Sequence, residues 1–246
     1  MDTPLTTLLV LGSKPEPALP PPGEVDAVAC ANASGRSAAA HRLPTPTFTV
    51  MSAILTAGQP AGRQSVAQLA GLQTKTLFFL PRPTPKGGAA KRALRRVRGW
   101  RTSPAWFRVS LRRAGYRWEH FEVRPLEAYH ALVRRLCNDD PAVAQEIARK
   151  QPSTGLFAVA LGVSDARFAR VIVAGMSFEL THAYGENPEI AERGTAVSKH
   201  ADTDVLVLGR LARHSGRLFT TEKIVADRAG VPLLEAAKDG GAPCRS

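Results

Sequence analysis

Cysteine is scarce in this chain: only Cys30, Cys137 and Cys244 occur among 246 residues. The number is odd, and no C-x-x-C or Cys/His metal spacing accompanies it. That excludes a disulfide scaffold and favours a reducing compartment. Long apolar runs are also missing. The opening MDTPLTTLLVLGSKPEP holds four or five consecutive apolar residues with no basic stretch before them. This is too short for a signal peptide or a membrane span, so the expected location is cytoplasmic. No internal repeat is present. With 44% apolar and 22% charged residues the composition is that of a folded globular protein, neither disordered nor collagen-like. The length suits one large domain or two small ones, with ample core, and a single domain is expected.

Acidic residues are absent where basic ones are densest. Residues 86–117 carry eleven Lys or Arg and no Asp or Glu, whereas the rest of the chain is close to neutral at net +1. The overall charge of +12 therefore describes one segment. Such a segment should meet something anionic. It opens with the linker-like PRPTPKGG and continues as AKRALRRVRGWR, with Trp100, Trp106 and Phe107 close behind. It reads either as a solvated surface helix with its aromatics tucked inward, or as an insert or lid over 81–118 that meets a membrane surface or an acceptor. No nucleic-acid reader motif accompanies it, so nucleic acid is not expected.

The remaining pattern alternates strands and helices. Short apolar runs at Leu5–Leu11, Asp26–Asn32, Thr47–Ser52, Lys75–Leu80, Arg170–Gly175 and Arg217–Thr220 read as buried strands. Helical spacing falls at Gln64–Leu72, Leu126–Cys137, Pro141–Lys150, the apolar run after Gln151, His200–His214 and Glu222–Arg228. The proline-rich stretch Lys14–Gly23 cannot be a long helix. Strands separated by helices imply an α/β fold: a Rossmann-like, mostly parallel sheet with helices on both faces.

One segment stands out chemically. Gln151-Pro152-Ser153-Thr154-Gly155 precedes an apolar helix, and small residues at a helix start leave backbone N–H groups free to meet an anion. The plain alternative is an N-cap by Ser153 or Thr154.

This segment, with VIVAGMSF at 171–178, resembles the small sialyl motif of the sialyltransferase superfamily. That motif reads approximately His-Pro-Ser-Thr-Gly, an apolar helix, then a strand ending Tyr-Gly-Phe. Val10-Leu11-Gly12-Ser13 and Asp26 through Asn32 are similar to a shortened large motif. Thr181-His182-Ala183-Tyr184 and His200-Ala201-Asp202-Thr203-Asp204 are similar to the third and very small motifs. The likeness covers roughly 8–32 and 151–204 in the family's order. Three departures stand: Gln151 replaces the leading His, Asp204 at +4 replaces Glu at +5, and no Cys lies in 138–243 to form the Cys pair of animal members. The last fits a bacterial-type relative.

The resemblance implies a sialyltransferase-like GT-A variant that transfers an acidic sugar, sialic acid or Kdo-like, from a CMP-activated donor. The acceptor would be a glycan or glycolipid, and the transfer would invert and use no metal and no cofactor beyond the donor. A single leaving phosphate can be met by helix N-termini and hydroxyls. The only Asp-x-Asp, Asp202–Asp204, falls in a helix, which sets its carboxylates about 200° apart. His200 is then the base and Asp204, one turn on, orients its imidazole; the alternative is a helix-start ion pair. Gly12, Ser13, Asn32, Ser153, Thr154, Gly155, Gly175, Ser177, Phe178, His182 and Tyr184 line the donor site. Asn32 serves equally as a strand-end turn former, and Tyr184 can bind phosphate or merely pack. Two rivals remain: another nucleotide-binding α/β transferase, and a non-catalytic protein that uses 86–117 on a polyanion or an anionic, inner-membrane surface.

Overall fold

A computed structural model describes residues 6–83, 99–180 and 196–234. Seven strands form one wholly parallel sheet: β1 (Thr7–Leu11), β2 (Ala27–Ala31), β3 (Phe48–Ser52), β4 (Gln73–Leu80), β5 (Arg117–Val123), β6 (Arg170–Ala174) and β7 (Leu218–Thr220). Their order is β5-β4-β3-β2-β1-β6-β7. The central strand β1 is flanked in parallel by β2 and β6, with Leu8 opposite both Ala27 and Val171. Strands buried on both faces need continuous apolar sequence. That is why TLLVL, AVACA and VIVA are almost wholly buried.

Helices cover both faces. On one side lie α4 (Leu126–Leu136), α5 (Pro141–Arg149), α6 (Thr154–Ser164), α7 (Ala201–Ser215) and α8 (Lys223–Ala229), packed on Leu8, Val10, Val50 and Val173. On the other, α1 (Gly35–Ala40) covers Leu9, Leu11 and Val28, while α2 (Pro60–Ala67) and α3 (Pro104–Arg113) cover Met51, Leu77 and Phe79. Helix α6 is buried at every position from Gly155 to Val163, which accounts for its apolar residues all round.

Local signals explain most boundaries. Asp140 caps α5 through Ala142 N (2.8 Å), with Pro141 in its first turn, and Gly216 ends α7 in the left-handed conformation. Three details differ from the sequence expectation. The helix expected at Gln64–Leu72 is α2, starting at Pro60, because proline suits a first helical turn. Helices α1 and α3 were not foreseen as regular elements, whereas Glu119 and Glu122, which read as a solvated strand face, do lie in β5. Ser103 caps α3 through Trp106 N (3.3 Å), and Phe107 and Leu111 are its buried contacts. Strand β5 lies at the sheet edge with both faces largely exposed, so it lacks an apolar run. The helical part of AKRALRRVRGWR falls mainly outside the described residues; Gly99–Thr102 at its end form a 3-10 turn.

Among the described residues no helix is long and apolar enough to cross a membrane.

Candidate active site

The chain leaves β1 toward β2 and builds the sheet out to β5, then returns to place β6 on the other side of β1. In doubly wound sheets such a reversal is where ligands bind, outside the strand ends. Here the loops at those ends are Gly12–Ser13 after β1 and Gly175–Ser177 after β6. Helices α6 and α7 run back toward β6 and β7, so both N-termini face the same edge of the sheet.

The two loops are zipped together beyond the strands. Gly12 N donates to Ala174 O (2.8 Å) and Lys14 N to Gly175 O (2.9 Å). A Cβ on Gly12 would lie 2.3 Å from Gly175 O and 2.8 Å from the Met176 side chain. The absent side chain at Gly12 therefore admits the neighbouring loop. Gly175 has φ +69°, which suits glycine. Met176 reaches on to Gly155, whose Cβ would meet its Cε at 2.9 Å. The start of α6 and both loops thus form one contiguous surface.

Ser153 is the N-cap of α6: its Oγ accepts from Leu156 N (3.1 Å). The first turn of α6 carries no acidic residue. Thr154 and Gly155 supply the leading N–H groups of that turn, which have no partner inside a helix. Ser177 Oγ is buried and lacks a hydrogen-bond partner among the described residues. Asn32, at the end of β2, has φ 52° and accepts from Ser52 N (3.0 Å) through Oδ1. It performs the turn-forming role. Phe178 departs from expectation. It is buried in the main core, with Arg228 5.1 Å over its ring and φ 60°. Its ring anchors the loop; it does not line the expected donor site. His182 and Tyr184 lie outside the described residues.

His200 is the N-cap residue of α7, and its Nδ1 lies 2.6 Å from Gln151 O. A carbonyl oxygen only accepts, so Nδ1 carries the proton and Nε2 of the neutral ring holds the lone pair. The orienting oxygen is this main-chain carbonyl, and not the Asp204 carboxylate expected from the spacing. Asp204 instead accepts from Ser153 N (2.9 Å) and so ties the start of α7 to the start of α6. Burial pushes the Asp204 carboxyl up to about 7, against the Ser153 hydrogen bonds and Lys150, which lower it.

Glu222 was not singled out by sequence. Its carboxylate, just after β7 and 3% exposed, accepts from Gly175 N (2.8 Å), Ala18 N (2.9 Å) and Lys14 Nζ (2.7 Å). It braces the loops after β1 and β6 from below. Lys14 lies 208 residues away in sequence, so no local signal could reveal the pair. Among the described residues no three His, Cys, Asp or Glu side chains cluster to hold a metal ion.

The sialyltransferase CstII from Campylobacter jejuni, solved in complex with cytidine-5'-monophosphate, is similar in structure. It matches over 93% of this chain and 84% of its own, with a TM-score of 0.52 at 11% identity. The chain has the sialyltransferase fold. An alpha-2,3-sialyltransferase from Campylobacter jejuni in apo form matches over 95% of this chain and 82% of its own, with a TM-score of 0.50 at 12% identity. No family model and no curated protein matches the sequence. The α/β expectation is thus met by the sheet itself and by these likenesses, which extend well beyond the motif segments.

Proposed function

We propose that this protein is a CMP-sugar-dependent glycosyltransferase that moves an acidic sugar, sialic acid or Kdo-like, to a glycan or glycolipid acceptor. The observation that carries the reading is the His200 imidazole, fixed at Nδ1 by Gln151 O (2.6 Å) beside the start of α6. Its Nε2 is the general base. It removes the acceptor hydroxyl proton as the acceptor oxygen attacks the anomeric carbon and the bond to the CMP phosphate breaks on the opposite face, with inversion. The N-terminus of α6, with the Thr154 and Gly155 N–H groups, receives the single phosphate. The buried Ser177 hydroxyl supplies a further hydrogen bond. A carboxyl at Asp204 raised to about 7 keeps negative charge near that phosphate low. The leaving group is one phosphate monoester, so these donors serve in the role a metal fills for diphosphates. The likeness in fold to CstII, a protein solved with cytidine-5'-monophosphate, supports the choice of nucleotide.

The test is release of CMP from CMP-sialic acid and CMP-Kdo by the purified protein, with acceptor mixtures present. Release by the wild type and none by His200→Ala supports the reading. Equal release by both rejects His200 as the base. No release with either donor, together with salt-sensitive polyanion binding that survives His200→Ala, favours the non-catalytic alternative.

A further inference from the structure

Basic residues outnumber acidic ones far beyond 86–117. From residue 27 to residue 118 the chain holds sixteen Lys or Arg and not one Asp or Glu. The rest of the chain carries 17 basic and 21 acidic residues and is net negative. The described part of this stretch builds β2, β3, β4 and α1 to α3. At the end of the sheet where β3 and β4 finish, the turn Ala53–Thr56, α2, the turn Gly99–Thr102 and α3 enclose an open groove of about 380 Å³. Its floor is apolar, formed by Leu55, Val66, Ala67 and Trp106, and its rim carries Arg63 and Arg101.

Beside the groove stands an exposed aromatic ridge. Trp100 is 49% exposed and packs edge-on against Trp106 with ring centroids 4.5 Å apart. Val109, one helical turn after Trp106, is 41% exposed. Arg101 lies 5.4 Å over the Trp100 ring and Arg113 5.9 Å over Trp106. Neither arginine, nor Arg63, forms an ion pair among the described residues. Arg63 donates to Gly58 O (2.6 Å), and Thr56 Oγ1 holds the turn in place through Arg101 O (2.7 Å).

We propose that this ridge and groove dock on the surface of an anionic phospholipid bilayer. Trp100 and Val109 enter the headgroup level, and Arg63, Arg101 and Arg113 meet lipid phosphates. An exposed indole in a collar of guanidinium groups is the chemistry of an interfacial anchor. The matching charge is negative, because no carboxylate on these elements answers the cations. An exposed Val109 and an apolar floor suit lipid; a nucleic acid groove would present polar groups or freely stacking rings. The patch lies at the same edge of the sheet as the loops after β1 and β6, so docking turns the candidate active site toward the bilayer. On the transferase reading, the acceptor is then a lipid-linked glycan; the docking itself does not depend on that reading.

The experiment is co-sedimentation of the full chain with phosphatidylcholine vesicles and with vesicles that also contain phosphatidylglycerol. Intrinsic tryptophan emission is followed in parallel. The wild type should bind only the anionic vesicles, with a blue shift, and lose binding as salt rises. Trp100→Ala should weaken binding roughly tenfold and remove most of the blue shift, and Arg101→Glu with Arg113→Glu should weaken it roughly a hundredfold or more. Both variants should keep the melting temperature and any stabilisation by CMP. No binding to anionic vesicles at low salt would overturn the proposal. Binding that both variants retain would overturn it too, placing contact elsewhere. RNA binding with no vesicle binding would show a polyanion surface instead. Loss of the CMP effect with vesicle binding intact would sink only the transferase reading.

Discussion

The two halves of the sheet treat charge in opposite ways. Around β1, β6 and β7, carboxylates are buried and used: Glu222 gathers two backbone N–H groups and Lys14, and Asp204 holds Ser153 N. Strands β3 and β4 and helix α3 carry no carboxylate at all. There arginines rest on aromatic rings, as Arg112 does on Trp118 (5.3 Å) and Arg108 on Phe121 (5.4 Å). Buried carboxylates fix geometry, because each accepted N–H is a constraint that water cannot relax. Exposed arginines fix little and remain available to a partner. One half is held rigid; the other, which we propose makes the membrane contact, is the contact half.

The sharpest way to separate the halves is through catalysis. His200→Ala should lower kcat by roughly 10³-fold, within the range of general-base loss, while stabilisation by CMP is kept. Steady-state CMP release and a melting curve on one preparation check both parts. Next in size is Glu222→Ala, which strands the Gly175 and Ala18 N–H groups and frees the Lys14 charge. It should cost about 3 kcal/mol, a fall in Tm on the order of 10 °C for a chain of this length.

Asp204 gives a pH signature that the contact half cannot show. Its folded value of about 7 stands above the ordinary 3.8, so the folded state holds the proton more tightly than the unfolded chain. Stability from this group is full below about pH 4 and is lost as pH rises through 7. Melting of the wild type between pH 5 and 8 should show a decline, on the order of 5 °C, which Asp204→Asn flattens. Smaller still, Ser153→Ala removes the cap of α6 and should cost about 1 kcal/mol. Arg112→Ala, in the contact half, should move stability by less than about 0.5 kcal/mol; a larger loss would show that this surface is structural after all.

Much of the fold was legible because a parallel sheet writes itself as apolar runs, and six of the seven strands did so. Strand β5 did not, since an edge strand with Arg117, Glu119 and Glu122 on open faces needs no such run. Helix α3 was hidden inside a charge excess that drew the eye to Lys and Arg, although Ser103-Pro104 marked its start. In the site, residue types were readable but their partners were not. His200 could be singled out, yet its anchor is the main-chain oxygen of Gln151, which any residue would offer. Asp204 was visible, but the i, i+4 spacing suggested His200 as its partner, and packing of α7 against α6 gave it Ser153. Strand order, and with it the reversal between β1 and β6, is a property of the assembled sheet.

The central claim is that the loops at the β1/β6 reversal and the start of α6 bind a cytidine monophosphate. It is tested most directly by thermal stabilisation with CMP, set against UDP, GDP and AMP, on wild type and Ser177→Ala. A ligand that binds only the folded state raises Tm by mass action. The account predicts a rise with CMP that exceeds the other three and shrinks in Ser177→Ala. Equal shifts with all four nucleotides, or none with CMP at millimolar concentration, would contradict it.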